Sequence, residues 1–460
     1  MKFITTLVFI ILNTCLTYGQ SKFSKKQVLN DLDYLKKSLI TTQYNCYHTI
    51  TEEAFEKEYH KIKNKITNDS LSLLETTRLL QQVPALLNNG HTRISFPVQS
   101  YINYAQTGGT IFPLEVAIEK GKVLVRKNWS KNSDIKIGDQ LISINNQPIQ
   151  KILETIYPQI AAERIYFKNA QLEFLTLPRF YWLTFGEQKM FEVEISRNDS
   201  VSTYKLASIK ALEEYETKRD DIIKRDRNIK FLSSSTAYLR PGEFGGDEGQ
   251  YRKFVDSAFT EIKSKKNKNL IIDLRNNPGG DDSFSDYLVS YIANQPFKWC
   301  SKFQLKTSAL LKEHVRKTKD TTTSYWKSTL LHEDGEIYEY DFGFYQPQPK
   351  SKRFHGNVYV LVNRQSYSQS TVTAAQIQDY NFGKIVGEET AEYPNLYASI
   401  FNYQLPETGI SVDIAKGKIQ RVSGLDNNKG VIPDIYVQDY LLDEKDEILE
   451  QLLKQIDLKK

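Results

Sequence analysis

The chain has 460 residues, 40% of them hydrophobic and 25% charged, with a formal net charge of +5. That length allows two or three domains, and the composition is ordinary for a soluble globular protein without repeats or low-complexity tracts. The basic residues are dispersed, which argues against nucleic acid as a partner. Three cysteines with no CxxC pair form neither a disulfide framework nor a metal-ligand cluster.

Residues 1–19 carry Lys2, an apolar run from Phe3 to Leu12 and Thr17-Tyr18-Gly19 ahead of Gln20. This is the pattern of a secretory signal peptide cleaved after Gly19. The apolar core is short for a membrane anchor, and no later run reaches transmembrane length. Thr14 before Cys15 disfavours lipidation, so the expected setting is secreted or periplasmic, with Cys46 and Cys300 left in the mature chain.

Over 20–100 apolar residues recur at helical spacing, as in Val28, Leu32, Leu35 and Leu39, then Phe55, Tyr59, Ile62 and Ile66. They predict a helical region that stops at Asn88-Asn89-Gly90. The segment His91-Thr92-Arg93-Ile94 then alternates like a strand. Residues 108–208 read as short strands: a hairpin of 112–118 with 123–126, the run from Ile137 to Ile149, and a late strand at 191–196. A helical, aromatic insertion at 152–183 interrupts them. After a charged helix or linker at 210–227, residues 230–445 alternate strand and helix. Strands at 269–274, 358–362 and 384–386 and a helix at 283–292 predict an α/β unit with a mostly parallel core. Residues 302–345 are polar and irregular and are expected to form a surface insertion, and 446–460 a C-terminal tail.

Two turns carry the candidate chemistry. The apolar run Val358-Tyr359-Val360-Leu361-Val362 breaks at Asn363-Arg364-Gln365-Ser366-Tyr367-Ser368-Gln369 before a helix. A parallel strand entering a helix through such a turn leaves a serine at the carboxyl edge of the sheet, beside free backbone N–H groups. Ser368 there has the placement of a nucleophile, and the N–H of Gln369 that of an oxyanion donor. The second turn follows Leu270-Ile271-Ile272-Asp273 as Asn276-Asn277-Pro278-Gly279-Gly280, where glycines let backbone approach a ligand closely and Gly279 or Gly280 could add a donor.

Asp273-Leu274-Arg275-Asn276-Asn277-Pro278-Gly279-Gly280, Ser366-Tyr367-Ser368, Gly387-Glu388-Glu389-Thr390 and Gly430-Val431-Ile432-Pro433-Asp434 occur in the order seen in the S41 family, the tail-specific or C-terminal processing serine peptidases. The resemblance spans roughly 80–440. It implies a ClpP/crotonase-like catalytic core, and the Gly138-Asp139 turn, apolar strand and Asn145-Asn146 turn resemble a PDZ domain. One branch of the family pairs the serine with a lysine in a Thr-x-Gly-Lys motif. Here Thr390 is followed by Ala391-Glu392-Tyr393, so the lysine is absent. The resemblance is therefore to the branch of tricorn and chlamydial secreted proteases, which uses a histidine from an N-terminal turn and a late acid. Asn89-Gly90-His91-Thr92 looks like that turn and makes His91 the expected base. Asp426 is the carboxylate nearest the expected acid position, while strict spacing falls on Asn427. Where the family has Thr-x-Ser-Ala-x-Glu, this chain has Ser366-Tyr367-Ser368-Gln369-Ser370-Thr371, which makes Ser370 a rival nucleophile. The implied activity is a serine endopeptidase acting on polypeptide, with no metal and no organic cofactor. The alternatives are a polypeptide-binding protein with a degenerate site and, further off, an esterase. The absence of a Gly-x-Ser-x-Gly elbow weakens the esterase.

Overall fold

The computed structural model describes residues 22–458, so the signal peptide expected at 1–19 lies outside the described residues. The N-terminal region is helical. Lys25–Thr42 starts at a capping box in which Ser24 accepts from the Gln27 amide and Gln27 reaches back, and it presents Val28, Leu32, Leu35 and Leu39 on one buried face. Glu52–Asn64 and Leu73–Leu80 pack beside it, the latter opened by a second capping box between Ser72 and Glu75. This apolar layer does not close on itself. It packs onto Phe401, Tyr403, Val412 and Ile414, residues more than 300 positions later.

Those partners belong to a long antiparallel hairpin, Tyr397–Gln404 with Ser411–Gln420, that the sequence reading passed over. The register is constant along it, but Ser399 has φ 57°, and burial of Ala398, Phe401 and Tyr403 with Ile400 exposed breaks the strict alternation that would have marked the strand. The sheet continues through Lys302–Lys306 to Ile337–Glu339, in the order 337–339, 302–306, 411–420, 397–404. The stretch expected to be an irregular insertion, 302–345, thus supplies two strands and the helices Ala309–Thr318 and Ser324–Leu331.

Within 108–208, the strands Leu114–Glu119, Lys122–Asn128, Gln140–Ile144, Met190–Arg197 and Ser200–Ala207 form an antiparallel sheet. Alternation drives it: Phe191, Val193 and Ile195 face the core and their neighbours face outward. Helices Ile149–Ile156, Ile165–Leu175 and Leu177–Phe185 occupy the expected insertion.

The third sheet runs 228–231, 236–240, 269–273, 357–362, 384–387, 435–436, with every pairing parallel except the first. Its middle strands, Asn269–Asp273 and Asn357–Val362, are almost wholly buried because helices cover both faces. Glu248–Ser264, Asp282–Val289 and Gln369–Asp379 lie on one side. On the other lies Glu447–Asp457, which seats Ile448, Leu452 and Ile456 on Ile271, Tyr359 and Leu361. The segment expected as a tail is therefore part of the core, held at its start by Asp446 against Arg275.

Leu452 is fully buried in that layer. Leu452→Ala should lower unfolding free energy by roughly 2–5 kcal/mol, the range for a leucine cavity in a packed core. Urea denaturation measures it, and a change near zero would mean that the helix does not dock.

Candidate active site

Three neighbouring strands of the parallel sheet, Asn269–Asp273, Asn357–Val362 and Lys384–Gly387, end at one edge, and the loops that leave them meet there. The first two loops are stitched together. Asn363 Oδ1 accepts from the Asn276 amide at 3.1 Å, Ser366 Oγ donates to the Leu274 carbonyl at 2.8 Å, and the Tyr367 amide donates to the Asn277 carbonyl at 3.1 Å. So braced, Ser368 is held at φ 57° and ψ −128°, outside the regions that non-glycine residues prefer. Such a backbone costs on the order of 1–3 kcal/mol and persists only where its surroundings over-determine it. The helix Gln369–Asp379 begins directly after it.

Gly279 is required at this junction. A Cβ there would lie 2.6 Å from the Gln369 nitrogen and 2.8 Å from Ser368 Cβ, and its φ is 82°. Its own N–H donates to Asn277 Oδ1 at 2.9 Å, so it is not the free donor the sequence suggested. Among the described residues, the amides of Gly280 and Gln369 have no acceptor within the protein, and both residues line the cleft that holds Ser368.

His91 reaches this edge from the other end of the chain. The two-residue strand Arg93–Ile94 pairs with Ser411–Gln420, matching Ile94 to Val412 and Arg93 to Asp413. The Ala415 amide donates to Thr92 Oγ1 at 3.0 Å, and the His91 amide to Asn89 Oδ1 at 2.8 Å. The imidazole is 2% exposed and stacks on Tyr367. Its Nε2 lies 3.2 Å from Ser368 Oγ.

The carboxylate on the far side of the ring is Glu392, which is fully buried with Oε1 3.2 Å from His91 Nδ1. The pair is close but poorly aligned, and neither atom has another hydrogen-bond partner. Its Oε2 accepts the backbone N–H of Ser368. The loop that carries Glu392 is fixed by the Gly430-Val431 run: the Val431 amide donates to Thr390 Oγ1 at 2.8 Å, and a Cβ on Gly430 would lie 1.9 Å from the Thr390 carbonyl oxygen.

Asp426 is elsewhere. It sits with Asn427 in an exposed loop, where Asn427 Oδ1 accepts from the Lys429 amide, and neither touches His91. Proximity along the chain to the Gly430 motif misled. The motif braces the loop that bears the carboxylate rather than bearing it. Glu392 follows the strand paired with the serine's own and stands at the same sheet edge, a relation set by strand order. Ser370 is also excluded by position: it is fully buried, with Oγ directed at the Leu274 carbonyl at 3.4 Å. The departures at 369 and 371 are absorbed locally, with Gln369 Nε2 on Ser285 Oγ at 3.0 Å and Thr371 Oγ1 on the Ser366 carbonyl at 2.9 Å.

Two groups near the triangle were not anticipated. Glu163, from the helical insertion, accepts the Gly90 amide on Oε1 at 2.9 Å. Arg364, four residues before Ser368, is buried among three carboxylates: Glu119 at 2.6 Å, Glu173 at 2.8 Å and Glu388 at 3.2 Å. It ties the antiparallel unit to the serine turn, and burial pushes Glu388 up to about 7.

Burial also sets the charge state of the centre. It pushes His91 down to about 3, with Arg93 adding to the effect. It holds Glu392 well above the usual carboxylate range, with Glu163 nearby adding repulsion. In front of Ser368 opens a cleft of about 510 Å3 walled by Trp299, Phe303, Tyr325, Trp326 and Phe342. Most of that wall comes from the stretch that looked polar and irregular.

Residues 235–437 match the model of peptidase family S41. No curated protein matches the chain. Among solved structures, mature CPAF complexed with lactacystin is similar with a TM-score of 0.65 at 17% identity, covering 94% of this chain and 97% of that one. Mature CPAF itself gives a TM-score of 0.64 at 17% identity over 94% and 96%. At this identity the likeness is one of fold.

A histidine lowered by burial takes up its proton only well below the ordinary value of about 6.5. For this group alone, folding is favoured above that ordinary value, and the preference is lost as pH falls toward about 3. In Ser368→Ala, NMR of His91 should therefore show a neutral ring from about pH 8 to about pH 5. A midpoint near 6.5 would contradict the buried neutral base.

Proposed function

Because the chain belongs to peptidase family S41 and is a serine-type peptidase, we propose that it is a secreted or periplasmic endopeptidase with Ser368 as nucleophile, His91 as general base and Glu392 as the acid behind it. The observation that carries this reading is the 3.2 Å approach of His91 Nε2 to Ser368 Oγ, with Glu392 on the opposite ring nitrogen.

The chemistry follows from the placement. A serine hydroxyl is too weak an acid to attack unaided, so His91 takes its proton as Oγ adds to the scissile carbonyl. Glu392 fixes the ring and balances the imidazolium. The free amides of Gly280 and Gln369 receive the oxyanion. The imidazolium then protonates the leaving amine, and water repeats the sequence to release the acyl group. Since the ring is neutral at rest, the base is ready at neutral and mildly acidic pH.

The aromatic cleft favours a large apolar side chain beside the scissile bond, and its volume suits one such residue with adjoining backbone. The antiparallel unit at 108–208 is read as a PDZ-like module that takes an extended polypeptide end by strand addition. Arg364 links it to the serine turn. The substrate is thus an unfolded or C-terminally exposed polypeptide.

Three variants test the assignment on an unfolded protein substrate. Ser368→Ala should abolish cleavage, and Glu392→Gln should lower kcat on the order of ten-thousand-fold, as for other triads that lose their acid. Asp426→Ala should leave the rate unchanged. A fall with Asp426→Ala and none with Glu392→Gln would reverse the assignment. In a peptide series, kcat/KM should favour Phe or Leu over Asp before the cleaved bond by about tenfold or more, the discrimination an apolar pocket gives. Equal rates would remove the cleft from specificity.

A further inference from the structure

Behind His91, on the side away from Ser368, stands a second carboxylate, Glu163, that peptide hydrolysis does not use. His91, Glu163 and Glu392 each offer a ligand atom, and these atoms all lie within 4.8 Å of one another. His91 Nδ1, Glu163 Oε2 and Glu392 Oε1 are all buried and without a hydrogen-bond partner. Buried polar atoms are ordinarily paired, and three orphans converging on one point call for an occupant.

Each carboxylate is presented in the same way. One oxygen is tied by a backbone amide, Glu163 Oε1 by Gly90 and Glu392 Oε2 by Ser368, which leaves the other oxygen unpartnered. Such outer hydrogen bonds orient metal ligands. Gly90 is needed for this approach, since a Cβ there would lie 2.8 Å from Phe167 and 3.2 Å from Glu163 Oε1. Among the described residues, no lysine or arginine nitrogen forms an ion pair with Glu163 or Glu392. Two acids and an imidazole without a basic partner match a cation rather than a structural salt bridge.

We propose that His91, Glu163 and Glu392 form a reversible inhibitory site for a divalent transition cation of the Zn2+ type. One imidazole nitrogen and two carboxylate oxygens are a donor set that zinc accepts with a fourth position open, at metal–ligand distances of about 2.0–2.2 Å. The ring nitrogen excludes Mg2+ and Ca2+, which take oxygen ligands. A cation on Nδ1 leaves the ring proton on Nε2, facing Ser368 Oγ. The imidazole then donates to the serine instead of accepting from it, and the base is disabled. Binding depends only on the three side chains, while the inhibitory consequence rests on the peptidase reading above.

The test is a Co2+ titration of Ser368→Ala, followed by visible absorption, with Zn2+ as competitor and Mg2+ as control. One equivalent of cobalt should bind, be displaced by Zn2+ and be indifferent to Mg2+. Adding Glu163→Gln should weaken binding by about tenfold or more, with circular dichroism and the melting temperature confirming the fold. If that variant does not fold, His91→Ala serves in its place. In the active chain Zn2+ should stop cleavage and a chelator restore it. No cobalt absorption in folded protein, or binding that ignores these substitutions, overturns the site. Cobalt bound at the site in a chain that cleaves no peptide would keep the site and defeat the peptidase reading.

Discussion

One carboxyl group organises the centre. Glu392 stands 3.2 Å from the imidazole with one oxygen and takes the Ser368 backbone N–H on the other. It therefore contacts the ring and the strained turn of the serine together, so one side chain links His91 to Ser368. That side chain is fully buried, and its loop is braced at both ends. The parallel strand Lys384–Gly387 precedes the loop, and the Val431 amide holds Thr390 within it. The cavity, the turns and the helix start are arranged about that one group.

Much of this was legible in the sequence. The serine turn, the double glycine and the parallel core were readable because each rests on local chemistry: an apolar run, a turn, then a helix. His91 was readable from its Gly-His-Thr setting. The acid was not. Asp426 lay near a motif in sequence, but what orders the site is strand adjacency, and adjacency in a parallel sheet is a long-range property. Glu392 follows the strand beside that of Ser368, a relation that emerges only once the strand order is known.

The other omissions have the same origin. Tyr397–Gln404 lacks a clear period because its buried side changes between Ala398 and Phe401, about Ser399 at φ 57°. Residues 302–345 looked like solvent-facing loop because their aromatics are scattered among polar residues. Folded, Phe303, Tyr325, Trp326 and Phe342 gather on one cleft wall. The acidic Glu119, Glu173 and Glu388 gave no signal of joint purpose until Arg364 brought them together. A buried arginine with three carboxylates is a weak source of stability but a strict geometric constraint, and here it fixes the approach of one unit to another.

The strand Arg93–Ile94 has only two residues, yet it joins distant parts of the chain at the site. The segment that matches the peptidase family, 235–437, holds the serine and Glu392, whereas the imidazole is delivered from residue 91 by pairing with Ser411–Gln420. A boundary drawn where the similarity begins would separate His91 from Ser368 and Glu392. The excised piece would keep Ser368 and its glycines and lose the imidazole that faces them.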